Sequence, residues 1–380
     1  MNKNIYSLAL VSFFTDFASA MITPVLPIFI VYILSDGVDK LGVVIASATF
    51  VSYIFRILFG YLSDKYQIRK PFLIVGYLIS AISKPLLAFS NTYQSVALLR
   101  SIERMGKATR SASKDYLIST YSKKNESGKT FGFHKMMDIA GELFGAITVF
   151  CIFYFYGSSE DILRNIFLLT IIPGIIGVFI VSFFVQDEHK KTENKKYQFE
   201  KKDFKLFPTL FFYFSFLFFM MGDSYFIIVA KEEGYAILFI PIFIIVLTLT
   251  QTLTSYYFGI ISDKKGFNKV LFFAFLMGIF SMIAMKFSFI WIGFIFLGLF
   301  TVASLNAIRS YISINAINKA SIYGVFYGGI AVFSSLGALS FGYIWQNFGQ
   351  ENALIFSLIG TVIIFILVLI KSKKEIFNNV

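Results

Sequence analysis

Apolar runs of about 20 residues recur almost from one end of the chain to the other, and no other feature limits the fold so strongly. In a bilayer each run can close its own backbone hydrogen bonds as a helix long enough to cross ~30 Å of hydrocarbon. Twelve spans are read, at about residues 5–30, 41–62, 71–90, 93–112, 131–156, 162–186, 206–230, 235–261, 269–288, 289–308, 322–345 and 352–371. They need about 240 residues, which agrees with a chain of 380 residues that is 57% hydrophobic and 15% charged. A soluble domain would carry roughly a quarter charged residues. An outer-membrane barrel would show alternating segments of ~10 residues, and the runs here are continuous. The expected fold class is an all-α membrane protein with twelve transmembrane helices. Spans four and ten stand out because their cytoplasmic ends carry charge, Arg100 and Arg104 in one and Arg309 in the other.

The net charge of +12 would suggest nucleic acid in a soluble protein, but loop placement accounts for it here. The N-terminus, the connections after even-numbered spans and the C-terminus hold 28 of the 34 Lys and Arg. The opposite side holds Lys40, Arg164, Lys231 and Lys286, and Arg56 and Lys84 lie within spans. By the positive-inside rule both termini are cytoplasmic and the number of spans is even. A multi-pass protein of the bacterial cytoplasmic membrane is expected. Ala18-Ser19-Ala20 has the look of a signal-peptidase site, yet the apolar run continues to Ile30, so the first span is read as uncleaved. Cys151 is the single cysteine, which excludes an intrachain disulfide.

The longest polar stretch divides the chain into six-helix halves, 1–186 and 206–380, joined by a charged cytoplasmic linker at 187–205. No loop is long enough for a nucleotide-binding or enzymatic domain. Ser127-Gly128-Lys129-Thr130 imitates the end of a P-loop, but Lys123 stands where the first glycine is required. The two histidines are 55 residues apart, so no metal site has ligand spacing, and no nucleophile–base motif is present. No enzyme activity, metal or cofactor is expected.

An internal repeat carries the next inference. Gly60-Tyr-Leu-Ser-Asp64-Lys65 between spans two and three matches Gly259-Ile-Ile-Ser-Asp263-Lys264 between spans eight and nine, 199 residues later. Such a repeat across six-span halves marks one transporter architecture. The pattern resembles the loop motif of the major facilitator superfamily, with Gln67 in place of the usual glycine in the first copy. Asp16 with Pro24 and Pro27 in span one, Glu103-Arg104-Met-Gly106-Lys107-Ala-Thr-Arg110, and Phe131-Gly-Phe-His134 with Asp138 are similar to a bacterial subgroup of that superfamily. The resemblance implies alternating access by a monomer, with a small-molecule substrate. It also implies a cytoplasmic gate built from Gly60, Asp64, Lys65, Arg104, Arg110, Gly259, Asp263 and Lys264. Spans one, four, seven and ten would line the cavity, so Asp16, Asp223 and Arg309 are the implied substrate-facing residues. Gly141-Glu142-Leu-Phe-Gly145-Ala146 keeps the glycines of the superfamily's antiporter motif but has Ala146 where proline is expected.

Ionisable residues inside the bilayer are expensive and therefore candidates for function. Asp16 and Glu142 each lie about 16 Å into their spans, beyond the reach of snorkelling. His134, Asp138 and Glu142 form an i, i+4, i+8 stripe on one helix face. One reading is a proton-coupling cluster of Asp16, Asp138 and Glu142 whose protonation follows its exposure. The other is a structural ion-pair network involving Arg56 or Lys84. Arg56 and Lys84 sit roughly 9 Å from a span end, so snorkelling is open to both, and His134 reads as interfacial. Basic residues from Arg100 to Lys114 could pair with acids at a gate or bind anionic membrane lipid. Pro24 and Pro27 should kink span one, and Gly324-x-x-x-Gly328 with Gly329 reads as helix packing. The expected function is secondary active transport, proton-coupled, for efflux or uptake of drug-like compounds, metabolites or siderophores. A uniporter and a non-transporting sensor on the same fold are the alternatives.

Overall fold

The computed structural model describes the backbone of residues 2–66, 68–122, 127–187, 200 and 202–377. It does not describe the side chains at 64, 127–129, 131–132, 263–265, 320 and 372–377. Among the described residues there are helices and turns and no strand. Among the described residues eleven helices are long and apolar enough to cross a membrane. In the first half these are span one (Lys3–Ile33), two (Val38–Ser63), three (Lys70–Phe89), five (Phe133–Tyr156) and six (Glu160–Phe184). In the second half they are seven (Asp203–Glu232), eight (Ile237–Ser262), nine (Phe267–Lys286), ten (Ile290–Asn315), eleven (Ser321–Phe348) and twelve (Gln350–Lys371). Span four is the helix Tyr93–Tyr121, long enough at 29 residues but crossed by seven charged side chains from Arg100 to Asp115. Span ten meets the apolar criterion despite Arg309 at its end.

Helix ends follow local chemistry. Pro71 opens span three, where a missing N–H costs nothing. Thr92 accepts from the Ser95 N–H at 3.3 Å at the start of span four. Gly266, at φ +87°, is the whole link between spans eight and nine, a conformation that penalises any Cβ. Several helices outrun their apolar segments, since backbone bonding continues after hydropathy stops. The helix of span two runs Val38–Tyr66, and that of span five runs Ser127–Tyr156.

Spans one and seven are both interrupted. Span one leaves the α-helix after Ile22, beside Pro24, and resumes at Leu26 before a π-turn at Phe29–Ile33. Span seven breaks between Phe219 and Asp223.

The chain clusters into two compact units, Met1–Lys195 with Ala236–Ile245, and Lys196–Tyr235 with Val246–Val380. Within the first, span one packs on five and six, and span four on two and three. A Cβ on Gly141 would strike the Phe13 carbonyl, and one on Gly145 would lie 2.5 Å from the Phe17 carbonyl oxygen. The Gly141-x-x-x-Gly145 pair is thus the contact that lets span five lie against span one. Gly76 and Gly106 do the same for spans three and four, each facing the other's carbonyl. Within the second unit, span nine packs on ten and twelve, and span seven on eleven and twelve. Gly337 faces the Phe218 carbonyl there, as Gly141 faces Phe13. The packing expected of Gly324 and Gly328 is not found: both face open space, and Gly329 packs on the Phe214 ring instead.

Candidate functional site

The polar groups of the first unit gather where spans one, three, four and five meet. Spans one and five can bring their backbones close because of Gly141 and Gly145, which sets their polar residues side by side. Ser12 of span one is 2% exposed, and its hydroxyl lies 3.0 Å from His134 Nε2 of span five. The Lys114 ammonium of span four donates to the same hydroxyl at 3.1 Å. On its other side His134 presents Nδ1 at 3.3 Å from Asp138 Oδ1. Because Lys114 donates to Ser12, the serine proton is free to point at Nε2, and the approach of Nδ1 to Asp138 is a close contact without hydrogen-bond alignment. The result is one chain, Lys114–Ser12–His134–Asp138, crossing three helices.

One turn along span one, Asp16 Oδ1 stands 3.9 Å from Lys107 Nζ of span four. Glu142, half-buried on span five, makes no hydrogen bond or ion pair among the described residues. Asp16, Lys135, Lys107 and Asp138 are the charges that act on it through space. Of the stripe His134, Asp138 and Glu142, His134 touches Asp138 on its own helix and Ser12 of span one.

Lys84 departs from the snorkelling expectation. It is 1% exposed and donates to the Thr15 carbonyl at 3.1 Å, so the ammonium ends inside the bundle rather than at its edge. His134, read from depth as interfacial, is 4% exposed and sits within the network. The basic stretch of span four also turns inward. Glu103 is buried between Arg100 at 3.0 Å and Arg104 at 3.5 Å. Arg110 donates to Ser80 at 2.6 Å and to the Gly76 carbonyl at 3.2 Å, with its guanidinium over the Tyr77 ring. Arg100 and Arg110 are buried in the unit, which removes them from any lipid-facing surface.

At the repeat motif the buried member is Arg69, which sequence reasoning passed over. It is 2% exposed, bonded to Ser63 and stacked over Tyr116 at 4.2 Å. Ser63 in turn meets Ser113 at 2.7 Å, tying span two to span four. A Cβ on Gly60 would lie at ordinary contact distance from Ala112, Gly259 faces open space, and Lys65 is exposed. The side chains of Asp64, Asp263 and Lys264, assigned to the gate, lie outside the described residues.

In the second unit Asp223 begins the helix after the break in span seven and accepts from the Ser224 N–H at 2.8 Å. Arg309 is exposed, and its main-chain oxygen accepts from the Tyr323 hydroxyl at 3.4 Å. Gln251 donates to Thr301 at 2.9 Å, and Asn306 to the Ser255 carbonyl at 3.0 Å, a neutral polar lining between spans eight and ten. The second unit thus has no counterpart, among its described residues, of the charged cluster in the first. Among the described residues no group of His, Cys, Asp and Glu could hold a metal ion.

Comparison with known proteins gives a consistent result. A sequence model described as Major Facilitator Superfamily matches residues 8–337. An uncharacterised MFS-type transporter of Methanocaldococcus jannaschii is 29% identical over 367 residues, covering 91% of this chain and 89% of the relative. The class H tetracycline resistance protein of Pasteurella multocida is 30% identical over 178 residues, or 44% of each chain. Among solved structures, a mutant of the nucleoside transporter NupG gives a TM-score of 0.80 at 14% identity, covering 97% of this chain and 99% of the other. The xylose transporter XylE from E. coli gives 0.72 at 14% identity, covering 97% and 96%. At these identities the structures speak for the fold alone.

Proposed function

This chain belongs to the Major Facilitator Superfamily, and from that premise we propose that it is a proton-coupled secondary active transporter of a small solute. Membership makes it a membrane transport protein rather than an enzyme. Proton coupling, the direction of transport and the substrate class are our own reading. Its main support is the cluster formed by Asp16–Lys107, Glu142 and the chain Lys114–Ser12–His134–Asp138. Burying so many ionisable groups in a bilayer costs several kcal/mol, and simple packing between spans one and five needs only Gly141 and Gly145.

The roles follow from the surroundings of each group. Asp16 exchanges its proton against Lys107 as exposure of the pair changes. Glu142 is the second proton site, and Asp138 exchanges through His134 and Ser12. Asp223 and Arg309 serve the substrate in the second half. Gly60, Asp64, Lys65, Arg104, Arg110, Gly259, Asp263 and Lys264 belong to the cytoplasmic gate, with both termini on that side. The partial likeness to a tetracycline resistance protein favours efflux of a drug-like compound, with metabolites and siderophores as the other classes. A uniporter is the second reading, favoured by the way Glu103 is held between two arginines as a fixed structural charge.

The test uses purified protein in liposomes with a trapped pH dye and a panel of lipophilic cations, siderophores, sugars and amino acids. A solute-dependent pH change that disappears in Asp16→Asn is the expected result. Solute uptake with no pH change would leave the uniporter, and undiminished coupling in Asp16→Asn would remove that residue from the mechanism.

A further inference from the structure

We propose that the solute carries a carboxylate or phosphate group, and that Arg104 and Lys107 of span four form the site that holds it. The inference rests on the reading of the chain as a solute transporter and names the charge of what it moves. Its starting point is which cations of the first unit are already bonded. Lys84, Arg100, Arg110 and Lys114 each donate a hydrogen bond at 2.6–3.1 Å to a carbonyl, carboxylate or hydroxyl. Arg104 and Lys107 donate none among the described residues: Arg104 Nε stands 3.5 Å from Glu103 Oε2, and Lys107 Nζ 3.9 Å from Asp16 Oδ1. The same two side chains are about a third exposed, at 31% and 35%, whereas Glu103 and Asp16 are 1% and 14% exposed. A solute reaching this face meets two cations, with their acids behind them.

Depth and charge balance make this arrangement costly unless it has a use. Arg104 lies about 16 Å along the helix that starts at Tyr93, near the middle of a bilayer. A partly exposed cation at that depth has to face a water-filled path rather than lipid. Glu103 is one carboxylate between two guanidiniums, so one positive charge there is left over. Arg104 and Lys107 are also one turn apart, a spacing at which like charges repel. An anion held by both relieves the two penalties together. The planar fork of the guanidinium matches two oxygens of a carboxylate or phosphate, and the ammonium adds a point charge ~5–6 Å away. Glu142 of span five is a proton site in the reading above, so it sets no fixed negative charge against an anion. Arg104 has on this account a role beyond the cytoplasmic gate.

Binding to the purified full chain in detergent at one pH, read by thermal unfolding, tests the proposal. Benzoate, phenyl phosphate, benzylammonium and benzyl alcohol are titrated to millimolar concentration; they share a ring and differ in charge. Benzoate or phenyl phosphate should bind at least about tenfold more tightly than the cation and the alcohol, the scale of one charge-assisted hydrogen bond. The tighter of the two names the group. Arg104→Gln should erase that preference, and Arg104→Lys should restore only part of it. Lys107→Gln breaks a 3.9 Å contact that adds little to folding, so it serves if Arg104→Gln does not fold; it should weaken the anion about threefold. Equal binding of all four probes overturns the proposal, as does a preference for benzylammonium, the absence of any anion binding, or an anion preference that survives both substitutions. No proton gradient enters this assay. An anion preference without a solute-dependent pH change in liposomes would remove proton coupling and keep the site, and a pH change without the preference would do the reverse.

Discussion

Lys84 Nζ of span three donates to the main-chain oxygen of Thr15 in span one at 3.1 Å, beside Asp16 in sequence. An ammonium that is 1% exposed has lost its hydration. The carbonyl replaces part of it, and the charges of Glu103 and Asp16 act on the same group. The lysine therefore couples three helices electrostatically at the level of the proposed proton sites. Lys84→Met keeps much of the volume and removes the buried charge, so thermal unfolding in detergent should shift by no more than about 3 °C. Transport should nevertheless fall by about tenfold or more, the scale of a coupling between sites. Equal losses of both would assign Lys84 to folding alone.

The Asp16–Lys107 pair separates the two roles further. Lys107 keeps a third of its side chain exposed and the contact is 3.9 Å, so the pair contributes at most about 1 kcal/mol to stability. A double-mutant cycle with Asp16→Asn and Lys107→Gln should show a small thermal coupling. In transport assays each single substitution should be strongly impaired, and the double should be no worse than Asp16→Asn. Independent, additive losses would mean that the two side chains do not act as a unit.

Glycine positions offer a test of packing that needs no substrate. Gly141→Leu must displace the Phe13 carbonyl, and overpacking of this kind costs about 1–3 kcal/mol. Gly337→Leu meets the Phe218 carbonyl and should behave alike. Gly324→Ala and Gly328→Ala enter open space and should stay within about 0.5 kcal/mol of the unaltered chain. Fluorescence-detected size exclusion after a heat step ranks all four, and a damaging Gly328→Ala would show that an additional surface covers span eleven.

What could be read from sequence divides by distance along the chain. Span positions were legible because hydropathy over ~20 residues is local; of the two spans singled out for their charge, four is crossed by charged side chains and ten is apolar enough to span. The stripe His134–Asp138–Glu142 was legible because helical spacing fixes a shared face. The partners were not: Asp16 meets Lys107, and Ser12 meets His134 across 122 residues, and no periodicity links positions on separate helices. Depth alone placed Lys84 within snorkelling range and His134 at the interface, yet neighbouring helices decide whether a side chain at that depth reaches water. Arg69 had no role of its own in the sequence pattern, and only the tertiary fold stacks it on Tyr116.

Arg69 supports a fourth prediction at the repeat motif. Its guanidinium bonds Ser63 and lies flat over Tyr116 at 4.2 Å, a geometry that the point charge of lysine does not reproduce. Arg69→Ala should cost about 1.5–3 kcal/mol, the range for hydrogen bonds to a charged group. Arg69→Lys should recover less than half of that loss. Full recovery in thermal unfolding by the lysine variant would reduce the site to a requirement for positive charge.

Asp203 carries the last prediction, because composition placed it in a solvated linker and the structure buries it completely. Its carboxylate accepts from the N–H groups of Ile317 at 2.8 Å and Asn318 at 3.3 Å, where span eleven begins, and from Glu200 N–H at 3.2 Å. Helix starts leave such donors unpaired, and here a residue 114 positions away supplies the acceptor. Asp203→Ala strands these donors in a buried site, at a cost of about 1–3 kcal/mol. Asp203→Asn keeps one acceptor oxygen and should fall between. Hydrogen exchange localises the effect: amides of 317–321 should exchange faster in Asp203→Ala, while the start of span three, where Asp187 accepts from the Lys70 N–H, stays protected. Uniform acceleration at both places would instead mean that Asp203 stabilises the whole chain rather than the entry to span eleven.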